Sequence, residues 1–174
     1  MKVRNLFFTV AALSAFCTQA ATFECGGLYY TTTGANTVAV ARVPAEKATN
    51  NPYKGVYIIP EQVYYDGANY QVTAIADSAF FQSKATEVQV PNTVTTIGEC
   101  AFAYATDLAN ITLPLHLKDV SKMLLAGTNV VNVAVPEGVK TIGWGAFQSC
   151  PMLHTMLLPS TTKRIDAYGY NNCH

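Results

Sequence analysis

The sequence predicts a mainly β solenoid of about five coils, each 22–23 residues long with short helical or irregular turns, behind an N-terminal β-rich cap. Three observations predict it. Ile75, Ile97, Val120, Ile142 and Ile165 recur at spacings of 22, 23, 22 and 23 residues. Five residues after each comes a large side chain, at Phe80, Phe102, Leu125, Phe147 and Tyr170, preceded by a small residue at Ala79, Ala101, Ala146 and Gly169. Pro91, Pro114, Pro136 and Pro159 keep the same period. Columns that share one period mark a repeat whose units bury their apolar faces only against one another.

The elements follow in chain order. Residues 1–20 read as a signal peptide: Lys2 and Arg4 are positive, Leu6 to Phe16 is almost wholly apolar, and Thr18-Gln19-Ala20 offers small residues for cleavage after Ala20. Phe16 stands directly before Cys17, where a lipoprotein signal needs a small residue. Residues 21–74 are expected to form the cap. Within it, Leu28–Thr33 and Thr37–Val43 flank the turn candidate Gly34-Ala35-Asn36, and Val63–Tyr65 and Tyr70–Thr73 flank Asp66-Gly67-Ala68-Asn69. Ile58-Ile59-Pro60 carries the strand-then-proline signature of the later repeats, which suggests a degenerate first coil with an inserted hairpin.

Residues 75–174 are the ladder. Each proline closes a short alternating run: Val88-Gln89-Val90, Ile111-Thr112-Leu113, Val133-Ala134-Val135 and Met156-Leu157-Leu158. Alternation with β-branched residues reads as a half-buried strand, and proline lacks the donor to continue it. Stacked coils would pair these strands in parallel at ~4.8 Å. The third repeat, Val120-Ser121-Lys122-Met123-Leu124-Leu125, departs from the pattern with two leucines where the others place a small residue and an aromatic, so a local distortion is expected there. The last, Ile165-Asp166-Ala167-Tyr168-Gly169-Tyr170, is followed only by short polar residues, Asn171, Asn172 and His174 among them, that could cap the stack.

The segments Ile97-Gly98-Glu99-Cys100-Ala101-Phe102 and Ile142-Gly143-Trp144-Gly145-Ala146-Phe147, each preceded by Val-x-Thr and followed by Leu-x-x-(Ile/Met)-x-Leu-Pro, resemble the BspA-like leucine-rich repeats of Bacteroides-type bacteria. The resemblance covers residues 75–174. It implies a leucine-rich-repeat solenoid in an exported or surface-displayed protein, with adhesion to host proteins or other cells as the family's theme and no catalytic residues to carry over.

Composition narrows the function classes. The 174 residues carry 11 Lys plus Arg against 11 Asp plus Glu, and 13% are charged, about half the ~25% of an ordinary soluble domain. Such a chain lacks the basic patch on which nucleic-acid binding depends. No run of apolar residues beyond the signal is long enough to span a bilayer as a helix. His116, His154 and His174 share no ligand spacing, so no metal, cofactor or catalytic group is expected.

The remaining cysteines, Cys25, Cys100, Cys150 and Cys173, form no CxxC pair. Cys150 and Cys173 share one repeat position, in a column with Ser83, Ala105 and Thr128. Parallel stacking sets their β-carbons wider apart than the ~3.8 Å a disulfide prefers, which favours buried thiols over a Cys150–Cys173 bridge. Seven of ten tyrosines lie between Tyr29 and Tyr70, open to two readings, packing in the cap or an aromatic contact surface.

The outward strand positions form two rows, Glu87, Asn110, Asn132 and Thr155, and Gln89, Thr112, Ala134 and Leu157, with one charge among the eight. A weakly charged solenoid face suits a macromolecular ligand. The expected function is therefore an exported, periplasmic or surface-associated binding module whose partner is a host or bacterial surface protein or a glycan. The competing expectation is an assembly role in which the uncapped last repeat joins another chain.

Overall fold

In the computed structural model, which describes residues 21–47 and 50–173, the chain is built from strands joined by irregular turns, with no helix among the described residues. The predicted signal peptide and His174 lie outside the described residues.

The first six strands are β1 (Thr22–Cys25), β2 (Leu28–Thr32), β3 (Thr37–Ala41), β4 (Lys54–Ile58), β5 (Gln62–Tyr65) and β6 (Ala68–Ile75). The rest are β7 (Lys84–Gln89), β8 (Thr96–Ile97), β9 (Asn110–Thr112), β10 (Asp119–Val120), β11 (Asn132–Ala134), β12 (Thr141–Ile142), β13 (Thr155–Leu157) and β14 (Arg164–Ile165).

Five of them make the cap sheet, ordered β1-β2-β3-β6-β5. Two turns set its hairpins. Gly26-Gly27 joins β1 to β2 with φ of 59° and 78°, and Asp66-Gly67 joins β5 to β6 with φ of 47° and 79°. Two successive positive φ angles give a turn whose twist matches that of paired strands, and glycine adopts them without steric cost. The second turn is tighter than the four residues the sequence suggested, because Ala68 and Asn69 already pair with Tyr65 and Tyr64. Phe23 of β1 stacks on Tyr65 of β5, ring centroids 4.0 Å apart and 7° from parallel, so the two outer strands of this sheet curl toward each other.

The cap also starts the ladder. β3 runs parallel to β6 and pairs Val40 with Ile75, while β8 pairs Ile97 with Ile75 from the other side. Val40 therefore heads the anchor column, one rung earlier than the sequence period reveals. Its carbonyl accepts the Ala76 N–H at 2.8 Å, and the Ile75 carbonyl takes the Gly98 N–H in the same way at 2.8 Å. As anticipated from Ile58-Ile59-Pro60, β4 is a first outer strand, parallel to β7 with Ile58 opposite Gln89.

Beneath the strands the large side chains stack. Tyr53 packs on Phe80 at 4.8 Å between ring centroids and Phe80 on Phe102 at 5.1 Å. Leu125 and Phe147 continue the column, and Phe80, Phe102, Leu125 and Phe147 are all fully buried. One apolar core runs from Phe23 in the cap to Cys150 in the fourth full coil. Between coils the turn backbone forms a directional ladder in which each coil donates to the next: Phe80 N to Ala101 O at 2.7 Å, Phe102 N to Leu124 O at 3.0 Å, Leu125 N to Ala146 O at 2.8 Å and Phe147 N to Gly169 O at 2.8 Å.

The third repeat is distorted, but in its strands rather than its turn. The inner row divides between β8 and β10, and the outer row between β9 and β11. The turn ladder through Lys122, Leu124 and Ala126 stays intact. Leu124 is fully buried at a position that is Ala or Gly in the other coils. Ser121 stands where Gly98 and Gly143 let adjacent coils close up; a Cβ on Gly143 would come within 2.8 Å of Val120 O and Lys122 N. Here the Ser121 hydroxyl, not its amide, donates to Ile97 O and spans the junction.

Candidate functional site

The outward face is assembled from short strands held in parallel register. Glu87 lies opposite Asn110 and Gln89 opposite Thr112, while Asn132 lies opposite Thr155 and Ala134 opposite Leu157. β9 and β11 form no ladder, yet Val131 N donates to Ala109 O at 3.2 Å immediately before Asn132 and Asn110. Seven of the eight row residues are exposed and Glu87 is half-buried. Its carboxylate accepts the Gln89 Nε2–H at 2.9 Å, so the one charge of the rows is engaged by its neighbour.

The face is longer than the sequence period indicated. A register shift between Gly55 and Val56 brings Val56 opposite Glu87 and Ile58 opposite Gln89. Both are exposed, at 60% and 69%, and give the face an apolar first rung to match Leu157 at the last, which is 62% exposed. The proline after Ile59 was the available signal. The irregular spacing of the inserted hairpin hid the register.

The tyrosines divide. Tyr30 and Tyr53 are buried; Tyr29, Tyr57 and Tyr70 pack partly against the core; Tyr64 and Tyr65 are exposed. Burial pushes the phenols of Tyr30 and Tyr53 well above the ordinary tyrosine range. The Tyr53 hydroxyl is fully used, donating to Ala41 O at 2.8 Å and accepting from Tyr29 N at 2.9 Å.

Cys150 donates to Leu125 O at 3.1 Å and Cys173 to Phe147 O at 3.0 Å, each thiol reaching back to a turn carbonyl of an earlier coil. Burial pushes the Cys150 thiol upward, which makes it a poor nucleophile. Cys25 is half-buried in β1 and Cys100 lies at a turn with φ of 55°. Among the described residues no three His, Cys, Asp or Glu side chains converge as metal ligands. His154 Nδ1 lies 2.8 Å from Met152 O, and no pair of acid and base is assembled around it. The geometry offers surfaces for contact.

Residues 70–174 match the model of the BspA type leucine-rich repeat region, in 6 copies. The chain belongs to the BspA-type leucine-rich repeat family. Solved structures agree. A leucine-rich repeat protein from Bacteroides ovatus is 27% identical, with 80% of this chain covering 42% of that one at a TM-score of 0.61. The T. pallidum leucine-rich repeat protein is also 27% identical, over 78% of this chain and 60% of that chain, with a TM-score of 0.64. A leucine-rich cell surface protein from Faecalibacterium prausnitzii shares the fold at 23% identity, 87% and 46% coverage and a TM-score of 0.63. The chain thus spans about half the length of these leucine-rich proteins. No curated protein matches it.

Proposed function

We propose that this BspA-type repeat protein is an exported or cell-surface, non-catalytic binding module that recognises a host or bacterial surface protein, or a glycan, through its outward sheet face. The observation that carries the reading is the composition of that face: ten outward positions from β4 to β13, one charge among them, and exposed Asn, Thr and Gln side chains between apolar rungs at either end. Such a surface would bind by shape and hydrogen bonding, with little long-range steering. Similarity to a cell surface protein supports the location.

The test presents the mature protein to matrix proteins and a glycan array, then repeats any saturable interaction with Asn110→Arg/Asn132→Arg. The double variant is expected to lose binding about tenfold or more while melting like the parent. Saturable binding to nothing, or binding indifferent to the double variant, removes the reading.

A second reading, assembly with another chain through the last coil, is favoured by one observation. At the first coil Asn51 Nδ2 stands in for a missing rung, donating to Ala79 O at 2.9 Å and to Phe81 O at 3.2 Å. At the other end the Tyr168 and Tyr170 amides, which would donate onward, meet no acceptor among the described residues. Light scattering at high concentration checks it, and a monomer throughout would dismiss it.

A further inference from the structure

Where the cap meets the ladder, a cleft of about 500 Å³ lies beside β4, walled by Leu28, Tyr30, Val56, Ile58, Val63 and Tyr64, and no charged side chain lines it. That volume falls in the range of specific ligand sites. Two observations mark it as more than a gap. First, among the described residues β4 pairs only with β7, and the register shows which groups that leaves free. Ile59 N donates to Gln89 O at 3.0 Å, so Tyr57 and Ile59 address β7, and alternation turns the N–H and C=O of Val56 and Ile58 the other way, toward the cleft. In the β4–β7 register none of these four groups is used, and no bond outside the strands meets them among the described residues. Second, Tyr30 lines the cleft, and its hydroxyl, unlike that of Tyr53, forms no hydrogen bond among the described residues.

We propose that this cleft takes an uncharged, extended peptide segment of another protein, which adds to the free edge of β4 as a strand and inserts one side chain or carbonyl against the Tyr30 hydroxyl. The edge supplies two donors and two acceptors at two-residue spacing, which a peptide backbone matches and a sugar ring does not. The cleft's lack of charge selects a neutral segment. Apolar walls on both sides favour one that alternates apolar and small polar residues. A free, exposed strand edge is ordinarily blunted by charge or proline; here Lys54 opens β4 and Pro60 lies beyond its end, and neither stands on the stretch from Val56 to Ile58.

The probe is a phage-displayed library of linear, uncharged heptapeptides selected on the mature protein, with the enriched peptides resynthesised. They are expected to alternate apolar residues, to bind saturably, and to slow hydrogen exchange at the Val56 and Ile58 amides. Ile58→Pro removes a donor that the fold does not use, and Tyr30→Phe removes the free hydroxyl. Each is expected to weaken binding by about tenfold without lowering Tm. Asn110→Arg/Asn132→Arg should leave peptide binding unchanged, which separates this site from the outward face. No enrichment, or bound peptide that leaves exchange at Val56 and Ile58 untouched, overturns the proposal whether or not the variants fold. Self-association that Ile58→Pro abolishes overturns it too, by assigning the edge to a second copy of the chain.

Discussion

Phe102 shows how one side chain carries the architecture. It is fully buried between Phe80 and Leu125, so neither neighbour can follow it if it is shortened. Phe102→Ala is expected to cost about 3–5 kcal/mol, read as a fall in denaturation midpoint; melting like the parent would disprove the column. Tyr30 and Tyr53 add a pH dependence. Their phenols ionise in the unfolded chain near pH ~10 but resist ionisation when buried. Their contribution is therefore full below about pH 10 and is lost as pH rises beyond it, because the unfolded state then releases protons that the folded state keeps. Thermal melts from neutral pH to pH 11 should show Tm falling steeply at the alkaline end, and Tyr30→Phe should flatten that fall. These tyrosines were visible in the sequence as a cluster. Which of them were buried was not, since tyrosine suits a core, a strand and a surface equally well.

At the scale of the element, the strands and prolines of the ladder were legible because their period is enforced: a coil of the wrong length would carry its apolar column out of register. The turns between them were less so. Each holds two residues at positive φ, at Ser78 and Gln82, Cys100 and Tyr104, Met123 and Gly127, and Gly145 and Ser149, and only Gly127 and Gly145 signal this in composition. The third repeat was marked as irregular by Leu124 and Leu125, but its distortion falls on the strand junctions, where coil meets coil. It makes a specific expectation for hydrogen exchange. The Gly98 and Gly143 amides, bonded to Ile75 O and Val120 O, should be strongly protected, whereas Ser121 N–H, which lacks the equivalent bond to Ile97 O, should exchange fast. Equal protection at all three would show that the ladder is continuous. The Val40 rung lay hidden for the opposite reason, since the cap reaches it with a parallel strand 35 residues before Ile75 instead of 22 or 23.

For the whole molecule, the scarcity of charge becomes a prediction about binding. With 13% charged residues and a single engaged carboxylate on the eight row positions of the outward face, affinity for a partner held there should change by no more than about twofold between low and high salt. A steep salt dependence in surface plasmon resonance would place the contact elsewhere, on a charged part of the protein. The same whole-molecule view explains the polarity of the stack. In the turn ladder each coil donates to the next, so the turns of the described stack differ chemically at its two ends: acceptors at the first coil, met by Asn51, and donors at the last.

By itself the sequence determined the repeat, its parallel strands, the buried column and the family, because a solenoid stabilised by nearest neighbours must write the same constraint into every unit. It also marked the outward rows, which follow from alternation once the strands are placed. Tertiary structure alone decided what breaks the period. It set the register that adds Val56 and Ile58 to the face, the curl that brings Phe23 onto Tyr65, the parting of the second and third coils, and the cleft beside β4. Each depends on segments of different spacing meeting in space, and a meeting of that kind leaves no periodic trace along the chain.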